Sequence, residues 1–340
     1  AILYALDAVK SGQFPLQYNL HFFFEGEEEQ GSTHLMDIFR KYKSLLQSDL
    51  WIICDGPAHP SGYKQVTFGV RGDAHISITT YGSARPLHSG HYGNWAPNPA
   101  SELVQLLATM KDSSGRVTVA GFYDDTIPLT SAEKAAMKAV PAVSASLMQE
   151  LAFGREERPG LDLPAAILQP SLNINGIESG HVGSKASNVI PASASAVLDL
   201  RLVPGNDCTR QQEKIIAHIR KQGYYVLDHD PTLAERRTHA RIAKVIPDKG
   251  YNAQRTSMDL PEAKKLMSAI RATTEEQVVI PVISMGGSLP LYLFDEILKV
   301  PVMTVSIANY DNNQHAENEN IRVGNLWSGI ESLAAIMCMP

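Results

Sequence analysis

The chain has 340 residues, 44% hydrophobic and 19% charged, with a formal net charge of −6, enough length for two globular domains. The acidic balance and the lack of a basic block argue against a nucleic-acid surface, and no apolar run reaches the ~20 residues a membrane-spanning helix needs. Three widely spaced cysteines, Cys54, Cys208 and Cys338, form neither a C-x-x-C pair nor a disulfide framework, which points to a reducing, cytoplasmic setting.

Taken in order, Ala1–Lys10 reads as the second half of a helix ending at Ser11-Gly12, without an N-cap or initiator Met, so the true start is expected upstream. Tyr18–Phe24 reads as a buried strand, followed by the acidic run Glu25-Gly26-Glu27-Glu28-Glu29. Leu35, Met36, Ile38, Phe39, Tyr42, Leu45 and Leu46 repeat at helical spacing, and Trp51–Asp55 is the next apolar strand. From about Gly72 the texture changes. Strands are expected over 74–81, 117–121, 194–203 and 224–228. Helices are expected from the Asn98-Pro99 cap to Lys111, from the Thr130-x-x-Glu133 capping box to before Pro141, and over 209–222. Leu198, Leu200 and Leu202 should face one way, Asp199, Arg201 and Val203 the other.

From about Lys249 the α/β rhythm returns: helix 261–273, strand 278–283, helix 289–298, strand 302–306, helix 321–337. The expected fold class is α/β, an α/β/α domain with a mainly parallel sheet (residues 1–71 and 246–340). It is interrupted by an inserted α+β domain (72–245), an open sheet with helices on one face.

Metal-capable side chains fall at the C-terminal ends of expected strands, where open α/β sheets build their sites. They are the Glu27–Glu29 run, Asp55 and His315. Carboxylates and an imidazole suit zinc or manganese, and a spare carboxylate beside a ligand can act as a base. Each has an ordinary alternative. An acidic run at a helix start is often a solvated face, an Asp before Gly-Pro serves a turn, and a single His in a polar loop is often a surface residue. Spacing alone leaves both readings standing.

The ordered motifs resemble those of the co-catalytic zinc exopeptidases, the family of carnosine dipeptidases, glutamate carboxypeptidases, aminoacylases and succinyl-diaminopimelate desuccinylases. Glu25–Ser32 resembles the motif E-G-x-E-E-x-G-S, and Asp55, Leu87-His88-Ser89-Gly90, Asn188-Val189-Ile190-Pro191, Arg201, Gly286-Gly287-Ser288 and His315 follow in the family's order. The resemblance implies Glu28 as the general base, Glu29 and His315 on one metal, and Asp55 on the other. It implies His88 as the oxyanion-stabilising residue working in a neighbouring subunit, Arg201 on the substrate carboxylate, and Asn188 and Ser288 as lesser contacts. It further implies two zinc ions per complete enzyme, with manganese an option, and a homodimer formed through the inserted domain.

The substrate would be a small peptide or an N-acyl amino acid, with the His88 segment closer to the dipeptidase branch. The family's His-x-Asp and bridging-Asp motifs do not occur before the first helix, so an incomplete metal site is expected. A non-catalytic dimerising relative, or a carboxylate-binding regulatory protein using Arg201 and Ser288, stands as the alternative outside enzymes.

Overall fold

The computed structural model describes residues 1–340. Its strands are β1 Trp51–Ile53, β2 Gln65–Thr67, β3 Gly69–Val70, β4 Gly72–Tyr81, β5 Leu87–His88, β6 Ser171–Glu178, β7 Val189–Ile190, β8 Ser193–Leu202, β9 Tyr225–Leu227, β10 Ile242–Pro247, β11 Gln254–Arg255, β12 Ile280–Val282 and β13 Val302–Val305. They form two main sheets. One runs β1-β13-β2-β12 and is mixed: β1 and β13 are parallel, as are β2 and β12, while β13 and β2 are antiparallel.

Helices Ile2–Ser11, Pro261–Arg271 and Val323–Met337 supply Ala5, Val9, Leu266 and Leu333 to a core that also takes Val66 and Met303 from this sheet. A second core gathers Phe39, Phe294 and Val302, with Trp51 packed edge-on to Phe294 at a ring separation of 5.3 Å.

The other sheet runs β6-β8-β4-β10-β9 and is antiparallel except for the β10–β9 pair. Its strands alternate cleanly because the sheet has one dry face. Ala74, Ile76 and Ile78 of β4 and Leu198, Leu200 and Leu202 of β8 are all buried. Helices Pro99–Ala108 and Cys208–Lys221 pack on that face, and the resulting core draws only on residues between Ala74 and Val245. Asp73, His75, Asp199 and Arg201 therefore project from the opposite face.

Leu200 is completely buried, so Leu200→Ala is expected to cost about 2–5 kcal/mol. The check is the urea midpoint of this unit; a loss below about 1 kcal/mol would show that the site collapses to fill the cavity.

Local chemistry accounts for several boundaries. The Asn98 side chain accepts from the Ala100 N–H at 3.0 Å, with Pro99 in the first turn. The Thr130 hydroxyl accepts from the Glu133 N–H, and the Glu133 carboxylate accepts from the Thr130 N–H, closing the capping box at the start of helix Ser131–Ala139.

Three expected elements differ. Tyr18–Phe24 is not a strand: it has no neighbour to complete a ladder. Phe22 and Phe24 are exposed, Leu20 packs on the first core, and Phe23 turns inward, 6.1 Å from the rings of both Phe39 and Trp51. Residues 117–121 make a single bridge, Lys111 to Val117, and their apolar side chains serve the core of the five-stranded sheet directly as Val117, Val119 and the adjacent Phe122. The helix expected over 289–298 is reduced to a wide turn at Phe294–Leu298, closed by Lys299 in the left-handed region at φ 62°.

Candidate active site

The acidic run follows the unpaired Tyr18–Phe24 segment and folds into a short 3-10 turn, Glu28–Gln30, stopped by Gly31 at φ 80°. The three consecutive glutamates then part company. Glu27 turns to His34, whose Nδ1 lies 2.9 Å from both carboxylate oxygens and whose backbone N–H also donates to it. That pairing holds the Glu27 carboxyl below its ordinary value and His34 above its own.

Glu29 meets His315 across the chain, Oε2 to Nε2 at 3.0 Å. His315 reaches this position from a loop in which it adopts φ 63°, a conformation uncommon for a residue other than Gly. Glu28 is pushed above the usual carboxylate range, first by partial loss of hydration and then by the carboxylates of Glu29, Asp55 and Glu25, while His315 pulls the other way.

Four carboxylates thus share one region with one imidazole. An oxygen of Glu25 is buried there without a hydrogen-bond partner. Buried or crowded carboxylates without partners are costly, and a divalent cation is the group that relieves all of them. The oxygen and nitrogen donors are of the type zinc or manganese accepts. Glu29 and His315 stand together, while Asp55, which follows β1, forms no compact three-ligand group with them. The donors are right in kind, and their number at either position is below the three protein ligands usual for zinc.

A second polar cluster lies on the open face of the five-stranded sheet. Arg201 on β8 donates from Nη1, at 2.8 Å, to the hydroxyl of Ser288, a residue that follows β12 of the other sheet. Its Nε lies 3.1 Å from Asp199 Oδ1, and its Nη1 lies 3.5 Å from Asp73 Oδ1. Asp73, His75 and Asp199 also bring three ligand-type atoms within 4.8 Å of one another. The guanidinium already faces the inner oxygens of both aspartates, so the cation these carboxylates serve is Arg201.

Tyr251 is the residue that sequence reasoning missed. It is tied to Asp73 by reciprocal backbone hydrogen bonds of 3.0 and 2.9 Å and stacks on Tyr292 at a ring separation of 5.6 Å. Burial pushes its hydroxyl up to about 12, followed by the charge of Asp73; Arg201 and a hydrogen bond with Ser288 oppose that, and the Glu28 charge adds to it. The position of Tyr251 after a Gly, in a segment without regular periodicity, gave no signal in the sequence.

His88 and Asn188 sit elsewhere. His88 ends β5 and caps the short helix Ser89–Tyr92, its Nδ1 accepting from the Gly90 N–H at 3.0 Å. Its ring lies 4.6 Å from that of His91. Both His88 and Asn188 are exposed, and the Asn188 carbonyl accepts from the Ser89 N–H. Neither touches Glu28, Glu29, Asp55 or His315 within the chain.

Comparison with known proteins supplies the frame for this geometry. Residues 68–225 match the peptidase dimerisation domain family. The human Beta-Ala-His dipeptidase is 26% identical over 97% of this chain and 64% of its own length, and the Saccharomyces cerevisiae Cys-Gly metallodipeptidase is 27% identical over 98% and 67%. The chain thus spans about two thirds of the length of these curated relatives.

Among solved structures, an M20 family metallo-carboxypeptidase from Sulfolobus solfataricus superposes with a TM-score of 0.83, at 26% identity over 99% of this chain and 74% of that one. Human carnosine dipeptidase 1 superposes with a TM-score of 0.73, at 25% identity over 98% and 69%. Along nearly its whole length the chain is similar in sequence to metallodipeptidases and in fold to an M20 family metallo-carboxypeptidase, and its middle part matches the peptidase dimerisation domain family.

Proposed function

We propose that the chain forms the principal part of a metal-dependent hydrolase that cleaves an amide bond next to a free carboxylate, of the dipeptidase or carboxypeptidase type. The observation that carries this reading is the pairing of Glu29 with His315 at 3.0 Å beside Glu28, in the same chain as an Arg201 guanidinium held by Ser288 at 2.8 Å. The domain division is read as 1–71 with 246–340 for the catalytic unit and 72–245 for the lid. The lid's match to a dimerisation family supports a homodimer, and the three free cysteines support a reducing, cytoplasmic setting.

Glu29 and His315 would hold one divalent ion and Asp55 contribute to a second. Zinc is the first expectation and manganese the alternative, either supplying Lewis acidity at the scissile carbonyl and making water more acidic. Glu28, with its carboxyl raised above the ordinary carboxylate range by partial burial and neighbouring carboxylates, takes the proton from the attacking water and passes it to the leaving amine. Arg201, with Ser288, holds the substrate's terminal carboxylate. The exposed His88, with Asn188 beside it, reaches into the partner subunit's site and donates to the developing oxyanion; Asn188 adds a lesser substrate contact.

Chelation followed by metal restoration tests this reading. A neutral dipeptide should be hydrolysed only with zinc or manganese present, and its C-terminal amide should be a much poorer substrate. Metal-independent hydrolysis, or none with either metal, would sink the proposal. N-acyl amino acid hydrolysis is the second reading, since the same groups serve it; faster release of amino acid from an N-acetyl amino acid than from a dipeptide would favour it.

A further inference from the structure

Arg201 sits in a row across the lid sheet. The antiparallel registers set it opposite Asp73 on β4 and Ser171 on β6, and set Asp199 opposite His75 and Asn173. Asp199 is only 6% exposed and lies on the same strand face as Arg201, two residues earlier. It grips Nε at 3.1 Å through one oxygen and at 3.3 Å through the other. Asp73 and the Ser288 hydroxyl take Nη1.

Arg71 stands behind them, itself buried, donating from Nη2 to the Gln169 carbonyl and the Ser171 hydroxyl. Asp199 draws on its charge as well as on that of Arg201. Nε and Nη1 are thus engaged, and Nη2 is the nitrogen of Arg201 that remains for a ligand.

We propose that Asp199, assisted by Asp73, is a positioning residue that fixes the Arg201 guanidinium so that Nη2 meets the substrate's terminal carboxylate. This rests on the reading of Arg201 as the carboxylate-binding residue. An unrestrained arginine samples many rotamers, an entropy a ligand would have to overcome at each binding event. Held by Asp199 in the folded chain, that ordering is complete before the substrate arrives.

The proposal makes a prediction of definite sign. Asp199→Asn removes a negative charge beside the site, so electrostatics alone predicts tighter carboxylate binding. Positioning predicts weaker binding, because the amide no longer grips Nε as an anion.

The experiment is calorimetric titration of the metal-loaded Glu28→Gln protein, which does not consume its ligand, with glycyl-leucine and with glycyl-leucinamide. The parent should prefer the free carboxylate at least tenfold, and Arg201→Ala in that background should abolish the preference. Asp199→Asn should weaken glycyl-leucine about tenfold and leave the amide unchanged, with Asp199→Glu recovering part of the loss.

No preference in the parent, or a preference that survives Arg201→Ala, overturns the reading of Arg201 itself. A preference lost with Arg201→Ala but kept or strengthened in Asp199→Asn overturns the positioning role alone. Thermal melting shows whether each variant is folded; should Asp199→Asn fail to fold, Asp73→Asn and Asp199→Glu carry the same comparison, and unchanged glycyl-leucine binding in both overturns the proposal.

Discussion

Glu28→Gln should lower the turnover of a dipeptide by a factor of about 10² to 10⁴ while leaving the fold and the metal content intact. The change keeps the shape of the side chain and removes only its capacity to take a proton. Its effect on folding has a calculable sign. The Glu28 carboxyl is raised in the folded chain, so the native state favours the protonated form, and ionised Glu28 destabilises the fold at pH values above its unfolded range. Gln at this position is therefore neutral or mildly stabilising, and melting curves should show no loss.

Glu27→Gln is the matched control one residue away. Glu27 is occupied by His34, so turnover should fall less than about threefold, far short of a general-base effect. Equal damage from the two substitutions would mean that the acidic run acts as a field and not through one base. Loss of metal along with activity in Glu28→Gln would make Glu28 a ligand.

That contrast also marks how much the sequence could show. Glu25–Ser32 announced an acidic site, yet which of three adjacent glutamates faces the chemistry depends on His34 and His315, one nearby and one far along the chain. The same division recurs in the fold. Elements specified by their own residues were legible: the Thr130–Glu133 capping box, the Asn98-Pro99 start, and the Leu198, Leu200, Leu202 face of β8.

Elements that depend on a distant neighbour were not. Tyr18–Phe24 has the apolar composition of a buried strand but pairs with no strand, and strand pairing is a property of two segments. The Arg201 network is likewise a matter of register. Asp199 was visible as a same-face partner two residues away, whereas Asp73 lies opposite Arg201 only through the pairing of β4 with β8. Tyr251 reaches them only because its segment crosses the start of β4.

That crossing makes Gly72 a position where one added methyl group should do clear damage. Gly72 opens β4 and is buried. A Cβ there would lie 2.5 Å from the Tyr251 carbonyl oxygen, 2.6 Å from the Ala253 nitrogen and 2.7 Å from the Asn252 carbonyl carbon. All three are backbone atoms, and the 251–253 segment is pinned by the Asp73–Tyr251 hydrogen bonds, so no side-chain rotation can make room.

Gly72→Ala is expected to cost about 3 kcal/mol, the upper part of the usual range for overpacking. In a unit of this size that is a fall of roughly 6–12 °C in melting temperature. Gly154→Ala, with no atom within 4 Å of the added group, should melt within about 1–2 °C of the parent, as surface substitutions do.

The strain also has a direction. It pushes Tyr251 and Asp73 apart, so protein that remains folded should bind a dipeptide more weakly while binding its C-terminal amide as before. If Gly72→Ala melts like Gly154→Ala, the segment moves aside freely, and Tyr251 is not held against the arginine site by the backbone crossing.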